Sequence, residues 1–138
     1  MMKYVSLLAV LIAILVTSTV AFAGERVPNL VGTWTGINKM HHKLLGFTEN
    51  KLTYVVEEQR GRIFKGYKTL TMLHDKSKRK EGFSGVIKKD NKTLYIGDHI
   101  DGLEFGDIDS TNKLTIYYLE AGGEISKAGI MELTRQGQ

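Results

Sequence analysis

Residues 29–36 are Asn-Leu-Val-Gly-Thr-Trp-Thr-Gly, and residues 129–135, near the end of the 138-residue chain, are Gly-Ile-Met-Glu-Leu-Thr-Arg. Both stretches contain β-branched residues, and in both the character of the side chain alternates from one residue to the next. This pattern is typical of β-strands that place one face in a core. The sequence therefore predicts that the folded region begins and ends with a strand.

The chain between these strands has no proline after Pro28 and carries a turn signal about every ten residues. This cadence is typical of an antiparallel sandwich or barrel. Turns such as Arg60-Gly61 and Asp90-Asn91 are short enough to join neighbouring strands in up-and-down order. We predict no substantial helix, and residues 41–50 are compatible with one short helical turn. The predicted strands are Val31–Lys39, Lys51–Gln59, Arg62–Leu73, Glu81–Lys88, Lys92–Ile96, Leu103–Ile108, Lys113–Leu119 and Glu124–Arg135.

Eight strands form either a closed barrel or a two-sheet sandwich, and strand periodicity does not separate the two. Closure removes the exposed strand edges that a small protein without cysteine would otherwise have to protect. The terminal strands favour closure, because Gly32, Trp34 and Arg135 resemble a signature of the calycin superfamily, the lipocalin-like and avidin-like barrels. In that superfamily a basic side chain of the last strand covers the tryptophan of a Gly-x-Trp on the first. The resemblance implies that Arg135 stacks on Trp34 and closes one end of a single eight-stranded antiparallel barrel.

Within the superfamily the chain is more similar to the avidin-like branch. Residues 59–67, Gln-Arg-Gly-Arg-Ile-Phe-Lys-Gly-Tyr, resemble the second hairpin of that branch, and residues 129–135 resemble its closing strand. The biotin sites of avidin-like barrels are walled by several tryptophans, whereas this chain has only Trp34. No binding residue is therefore carried over from the family.

Residues 1–23 have the features of a signal peptide. Lys3 gives a positive start, residues 4–16 are almost wholly apolar, and Ala21-Phe22-Ala23 supplies the small residues that precede a cleavage site. We expect cleavage after Ala23, a secreted or periplasmic barrel domain of residues 24–138, and no stable membrane anchor once the chain is processed. The chain has no cysteine, so the exported domain is predicted to rely on its core rather than on disulfides.

Charge and motif content favour a non-enzymatic protein. The 19 Lys and Arg residues are interspersed with 15 Asp and Glu residues, and the basic run at residues 76–80 falls in a predicted loop, so we expect no nucleic-acid partner. The sequence contains no cysteine nucleophile, no serine in a Gly-x-Ser-x-Gly context and no glycine-rich phosphate loop. We predict neither an enzymatic activity nor a cofactor.

The lumen residues follow from alternation once Trp34 is set inward. An eight-stranded barrel either fills with side chains or holds one small ligand, and both outcomes stay open. If a pocket is present, we expect a small apolar ligand in contact with Asn38, Tyr54, Phe83, Phe105 and Tyr118. The more apolar face of each later strand gives these inward residues: Leu52, Tyr54, Val56, Phe83, Gly85, Ile87, Leu94, Ile96, Leu103, Phe105, Leu114, Ile116, Tyr118, Met131 and Leu133.

The third strand does not fit this assignment. Ile63 and Tyr67 share one face, whereas Phe64 and Leu70 share the other. A bulge near Gly66 would reconcile the two sets, because an extra residue shifts the alternation.

All four histidines fall in predicted loops that up-and-down order places at the end opposite Trp34. His41 and His42 follow the first strand, His74 follows the third and His99 follows the fifth. Imidazoles beside carboxylates are ligands for divalent transition metals, although the spacing matches no established motif. The sequence therefore gives a candidate metal site at this rim, with the alternative that polar residues simply populate loops.

Two functions stay open at this point. The first is an exported non-enzymatic barrel that binds a small apolar ligand in its lumen. The alternative is a structural or protein-interaction module with a solid core, which acts through its rim loops or its outer wall. Apolar residues of outward parity predict a homodimer through the later strands: Tyr95, Tyr117, Leu119, Ala128 and Ile130.

Overall fold

The computed structural model describes residues 26–71, 76–100 and 102–137. Its strands follow one another, each antiparallel to the next, around a closed barrel in which β1 also pairs with β8. This confirms the predicted all-β, up-and-down barrel. The predicted signal peptide, residues 1–23, lies outside the described residues. The strands are β1 (Gly32–His42), β2 (Gly46–Arg60), β3 (Ile63–Thr71), β4 (Lys78–Ile87), β5 (Thr93–Asp98), β6 (Leu103–Ser110), β7 (Lys113–Glu120) and β8 (Lys127–Arg135).

The first hairpin is longer than the sequence predicted. Residues 41–42 and 46–50 belong to paired strands joined by a turn at 43–45, with His41 opposite Phe47 and His42 opposite Gly46, so the expected helical turn is not formed. Gly46 has a φ of 71°, a conformation that costs glycine little and permits the tight turn. The last strand is shorter than predicted, because residues 123–125 form a single 3-10 turn before β8 begins.

The irregularity expected on the third strand lies on its partner. The register between β2 and β3 shifts between Val56 and Glu58, which is a bulge on β2. β3 itself alternates regularly, with Phe64 inside and Ile63 exposed. Opposite the bulge, a Cβ on Gly66 would lie 1.9 Å from the carbonyl oxygen of Val55, so only glycine permits this approach of the two strands.

Alternation places the inward side chains correctly on most strands, and β6 is the exception. Leu103 and Phe105 are 61% and 39% exposed on the outer surface, whereas Glu104 is 1% exposed and faces the interior. The prediction that Leu103 and Phe105 line the lumen is wrong. It took the more apolar face of β6 as the inner one, but on this strand a carboxylate and Gly106 face inward.

One end of the barrel is closed by Trp34 and Arg135. Trp34 is fully buried, and the Arg135 guanidinium lies 4.3 Å from the centre of its ring. The guanidinium also donates hydrogen bonds to the carbonyls of Val31 at 2.8 Å, Asn29 at 2.5 Å and Thr111 at 3.2 Å. Arg135 therefore ties the segment before β1 and the turn between β6 and β7 to the last strand.

The inward residues change character along the barrel axis. Nearest the Trp34 end the interior is apolar, and the Phe83 ring packs 6.2 Å from that of Phe64 and 5.3 Å from that of Tyr54. Further along, Phe83 is followed on the inward face of β4 by Glu81, and the inward residues of other strands likewise become charged or amide-bearing. We call the apolar part the closed half, which contains Trp34, Phe64, Phe83, Ile87 and Leu94, and the polar part the open half, which contains Asn38, Lys68, Glu81, Asp98 and Glu104.

Candidate ligand site in the open half of the barrel

A buried ionic cluster occupies the centre of the open half. Lys68 of β3 reaches across the lumen, and its Nζ lies 2.5 Å from Oδ2 of Asp98 and 2.7 Å from Oε1 of Glu104. The side chains of both carboxylates have no solvent-exposed surface, and that of Lys68 is 11% exposed. Removing three charges from water is costly, and only mutual pairing with good geometry offsets that cost. The cluster is therefore a fixed group in which each member depends on the others.

Tyr54 completes the cluster from β2. Its hydroxyl lies 2.7 Å from both carboxylate oxygens of Glu104 and donates a hydrogen bond to that group. Burial and the Glu104 charge raise the pKa of Tyr54 well above its usual value, so the phenol stays protonated. Glu104 thus accepts from an ammonium and a phenol at once, which holds it in one position.

The two charges on either side of Lys68 determine the titration of the cluster. Burial alone would lower the pKa of Lys68, but the charges of Glu104 and Asp98 outweigh it and the net shift is upward. Burial, followed by the charge of Glu104, raises the pKa of Asp98 to about 7. Near neutral pH the Lys68–Asp98–Glu104 group therefore gains one negative charge as Asp98 loses its proton.

A second charged pair lies closer to the mouth. Lys127 contacts Glu120 at 2.6 Å, and the Tyr118 hydroxyl donates a hydrogen bond of 2.7 Å to the same carboxylate. Burial would raise the pKa of Glu120, but these hydrogen bonds and the Lys127 charge lower it overall. The Tyr118 ring also lies 5.2 Å from Nζ of Lys68 and 5.3 Å from Nζ of Lys127, which places it between the two lysines.

A cavity of about 70 Å³ lies between these two polar groups. Two acceptors at its wall, Oδ1 of Asn38 and Oε1 of Glu81, are buried and receive no hydrogen bond from any described residue. A buried acceptor without a donor costs roughly 1–3 kcal/mol, so such atoms usually mark the place of a water or a ligand. The lining combines polar and apolar side chains: Asn38, Met40, Leu52, Lys68, Leu70, Arg79, Glu81, Glu104, Tyr118, Lys127 and Met131.

The five residues predicted to contact a ligand lie in four different places. Asn38 and Tyr118 line the cavity. Tyr54 stands behind Glu104, and Phe83 packs in the closed half. Phe105 lies on the outer surface, where its ring packs edge-on against Tyr95 at 5.9 Å. The expected contact of Phe105 with a lumen ligand is therefore wrong.

The charged residues of the open half were not predicted from the sequence. Lys68 was overlooked because it interrupts the apolar face of β3, and Glu104 was overlooked because it lies on the less apolar face of β6. One signal was present: Lys68 shares the parity of Phe64 and Leu70, and a lone lysine on such a face needs a buried carboxylate opposite. Glu104 is a candidate for that partner, because it is isolated between Leu103 and Phe105.

The described histidines do not converge. His41 points outward and its ring lies 4.7 Å from that of Phe47, while His99 folds onto the outer face of β4, with its Nε2 3.0 Å from Ser84 Oγ. His42 is the inward one, and burial followed by the Lys127 charge lowers its pKa. His74 lies outside the described residues. Among the described residues, no group of three or more histidine, aspartate or glutamate side chains is placed to hold a metal ion.

Within the described part of the chain, no helix has the length and apolar character needed to cross a membrane. A scan of protein-family models finds none that matches the chain, and a search of curated proteins finds no similar sequence.

Proposed function

We propose that the protein is a non-enzymatic binding barrel that holds the donor-bearing head group of a small molecule in the open half of its lumen. The observation that supports this most is the pair of unpartnered acceptors, Asn38 Oδ1 and Glu81 Oε1, at the wall of one cavity. A ligand that carries two N–H or O–H donors could satisfy both. The ligand then differs from the wholly apolar molecule that the sequence suggested.

The charges around the cavity favour a neutral ligand. Lys68 is paired with Glu104, and Lys127 is paired with Glu120. The remaining pair in the lining, Arg79 and Glu81, is of opposite sign. While Asp98 is protonated these charges balance, so an amide or a hydroxyl fits the site better than an ammonium or a carboxylate.

The cavity's size limits how much of the ligand enters. Its volume of about 70 Å³ is far below the ~300–1,000 Å³ of pockets that enclose drug-sized molecules. It suits a head group of a few heavy atoms, with the rest of the ligand in the mouth. Met40, Leu52, Leu70 and Met131 in the lining would pack against its apolar part.

We further propose that the barrel acts after export and belongs among the calycins, near the avidin-like branch. Support for export comes from the signal-peptide features of residues 1–23. Support for the family comes from Gly32 and from the contact between Trp34 and Arg135, whose geometry is the one the resemblance implied. The calycin barrels are binding proteins with a lumen site, which agrees with the proposed function.

Native mass spectrometry of protein purified from its own host tests the lumen site. We expect an added mass retained by the wild-type protein. In Asn38→Leu and Glu81→Met, affinity for the retained molecule should fall at least about tenfold, as expected for the loss of one buried hydrogen bond. Glu49→Met, a matched change on the exposed face of β2, should retain the wild-type mass. Equal retention in all four proteins would contradict a site at Asn38 and Glu81.

A thermal-shift screen tests the ligand class. Small neutral amides and alcohols should raise the melting temperature of the wild-type protein, because a ligand that binds the folded state stabilises it. The same compounds should have a smaller effect on Asn38→Leu. A response confined to purely apolar compounds would contradict the role of the two acceptors and support the ligand that the sequence suggested.

The alternative function, a protein-interaction module, is supported by the outer wall. Tyr95, Leu103, Phe105, Tyr117 and Leu119 leave an apolar surface on three adjacent strands. This surface and the lumen site are independent, so evidence for one does not count against the other.

A further inference from the structure

Six outward residues on β5, β6 and β7 form two rows that cross the three strands. In the first row Tyr95 pairs with Phe105 and Phe105 with Tyr117, and in the second Gly97 pairs with Leu103 and Leu103 with Leu119. We call these six residues the β5–β7 face. The five side chains are between 39% and 61% exposed, and none carries a charge. Thr93, Asp107 and Thr115 form the next row and give the face a polar edge.

The exposed apolar area of this face is close to what a stable dimer needs. At the observed exposures, three aromatic and two leucine side chains present roughly 400 Å² of apolar surface. A standard interface buries ~800 Å² on each partner, of which about 56–65% is apolar, or ~450–520 Å². The face therefore supplies most of the apolar part of one such interface, and its polar edge can supply the rest.

The face carries both a recess and a protrusion. Apart from Gly97 itself and its two neighbours in the chain, no described atom lies within 4 Å of a Cβ built on Gly97. The groove over this residue has a volume of about 490 Å³, with walls formed by Val86, Tyr95, Leu103 and Phe105. In the same row, two strands away and so ~10 Å distant, Leu119 is 53% exposed. A surface that contains both a hole and a matching side chain can pair with a copy of itself.

We propose that two copies of this chain associate through the β5–β7 face. The two-fold axis runs along β6, in the plane between the copies. A rotation of 180° about that axis exchanges the two flanking strands, so Leu119 of one copy lies over Gly97 of the other and Tyr117 over Tyr95. Leu103 and Phe105, on the axis, meet their own counterparts. The outer surface of each barrel is convex, so the two copies come closest along β6. The side chains of the flanking strands β5 and β7 then reach across to the other copy.

The substitutions that test this arrangement are Gly97→Glu and Leu119→Lys. Gly97→Glu fills the recess with a charge, and because the space above Gly97 is open it leaves the barrel fold intact. Leu119→Lys puts a charge on the protrusion. The matched control is Ile37→Lys on β1, which lies across the barrel from β5 and is 40% exposed, as Tyr117 is.

Sedimentation velocity between about 1 and 100 μM, on protein expressed from the full sequence and purified in the form the host makes, gives the readout. We expect a wild-type dimer, a dissociation constant weakened about 30-fold or more by each face variant, and no change in Ile37→Lys. Circular dichroism and the melting temperature confirm that every variant is folded. A wild-type protein that is monomeric at all concentrations, or that dimerises only in the presence of another protein or of lipid vesicles, overturns the proposal.

The double variant G97E/L119K tests the register. In the proposed arrangement the two new charges are of opposite sign and face each other across the interface, so the double variant should dimerise at least tenfold more tightly than either single variant. If the double variant is weaker than both singles, the pairing of Gly97 with Leu119 is wrong. If all face variants dimerise like the wild type, the dimer uses another surface and the proposal fails.

Discussion

The closed and open halves of this barrel are built from the same eight strands but are stabilised by different interactions. In the closed half the inward residues are apolar and interlock, as Phe83 does with Phe64. In the open half, Lys68, Asp98 and Glu104 replace them as a set of paired charges. Packing stabilises the first half, and it does not depend on pH. Ion pairing stabilises the second half, and the free energy of that pairing depends on whether Asp98 is protonated.

The transition between the halves occurs within individual strands. On β4 the inward residues run from Ile87 through Gly85 and Phe83 to Glu81. At Gly85 a Cβ would lie 2.2 Å from Cζ of Phe64, so the missing side chain makes room for the aromatic ring. The closed half is tightly packed at this point, and the cavity described above lies where the polar residues begin.

Phe83→Ala should have the largest effect on stability. Phe83 is fully buried at the boundary of the closed half, and loss of a buried phenylalanine ring costs about 3–5 kcal/mol. The free energy of unfolding, from urea titration, should fall by that amount equally at pH 5 and pH 8. A loss below about 1 kcal/mol would mean that the closed half is not packed as described.

Lys68→Met should cost about 3 kcal/mol at pH 8, because it leaves buried carboxylates without their cation. At pH 5 the cost should be smaller, since Asp98, whose pKa is raised to about 7, is then protonated and only Glu104 lacks a partner. Urea titration at both pH values measures the difference. Lys65→Met on the same strand removes an exposed lysine that pairs with Glu58, and should cost less than about 0.5 kcal/mol. A pH-independent cost for Lys68→Met would remove the distinction between the two halves.

Arg135→Lys tests the end of the closed half and should cost about 1–2 kcal/mol. Lysine keeps the charge but lacks the planar fork that stacks on Trp34 and donates to the carbonyls of Val31 and Asn29. Trp34 is the only tryptophan, so its fluorescence reports the closure directly. The emission should shift to longer wavelength as water reaches the ring. Arg62→Lys, which loses one hydrogen bond to the Lys88 carbonyl and touches no tryptophan, should leave the emission unchanged.

The sequence predicted the closed half well and the open half poorly, for one physical reason. Hydrophobic alternation identifies the inner face of a strand only where the interior is apolar. It therefore placed Phe83 and Leu133 correctly, and both are fully buried. On β6 it chose Phe105 over Glu104, because nothing local shows that a carboxylate will find its cation on β3, 36 residues earlier.

The barrel topology was predictable because its signals are local. Short turns such as the one at Gly61 specify neighbouring strands, and Trp34 and Arg135 stand at the two ends of the strand order. The hairpin at 43–45 was missed because its strands carry polar residues on both faces, which hides the alternation. The Lys68 cluster and the cavity beside it depend on contacts across the lumen, and such contacts leave no pattern in any single segment.

Asp98→Asn should have the smallest effect at pH 5, where Asp98 is already protonated, and it isolates the pH dependence of the open half. Burial raises the pKa of Asp98 in the folded state from 3.8 to about 7. Between these values the folded chain holds a proton that the unfolded chain has released, so this group's contribution to stability falls as pH rises from about 4 to 7 and is constant above that. Asparagine has no proton to release. Relative to the wild type, the unfolding free energy of the variant should therefore rise by roughly 2–3 kcal/mol between pH 5 and pH 8.

The measurement for Asp98→Asn is the difference in unfolding free energy between variant and wild type across that range, which cancels the titration of all other groups. Asp90→Asn is the control: Asp90 is exposed, and hydrogen bonds from the backbone of Lys92 and Thr93 lower its pKa, so its difference curve should be flat above pH 5. If the Asp98→Asn curve is flat as well, Asp98 is ionised in the folded protein at pH 5. The charge of the cluster would then stay the same from pH 5 to pH 8, and over that range the open half would be as insensitive to pH as the closed half.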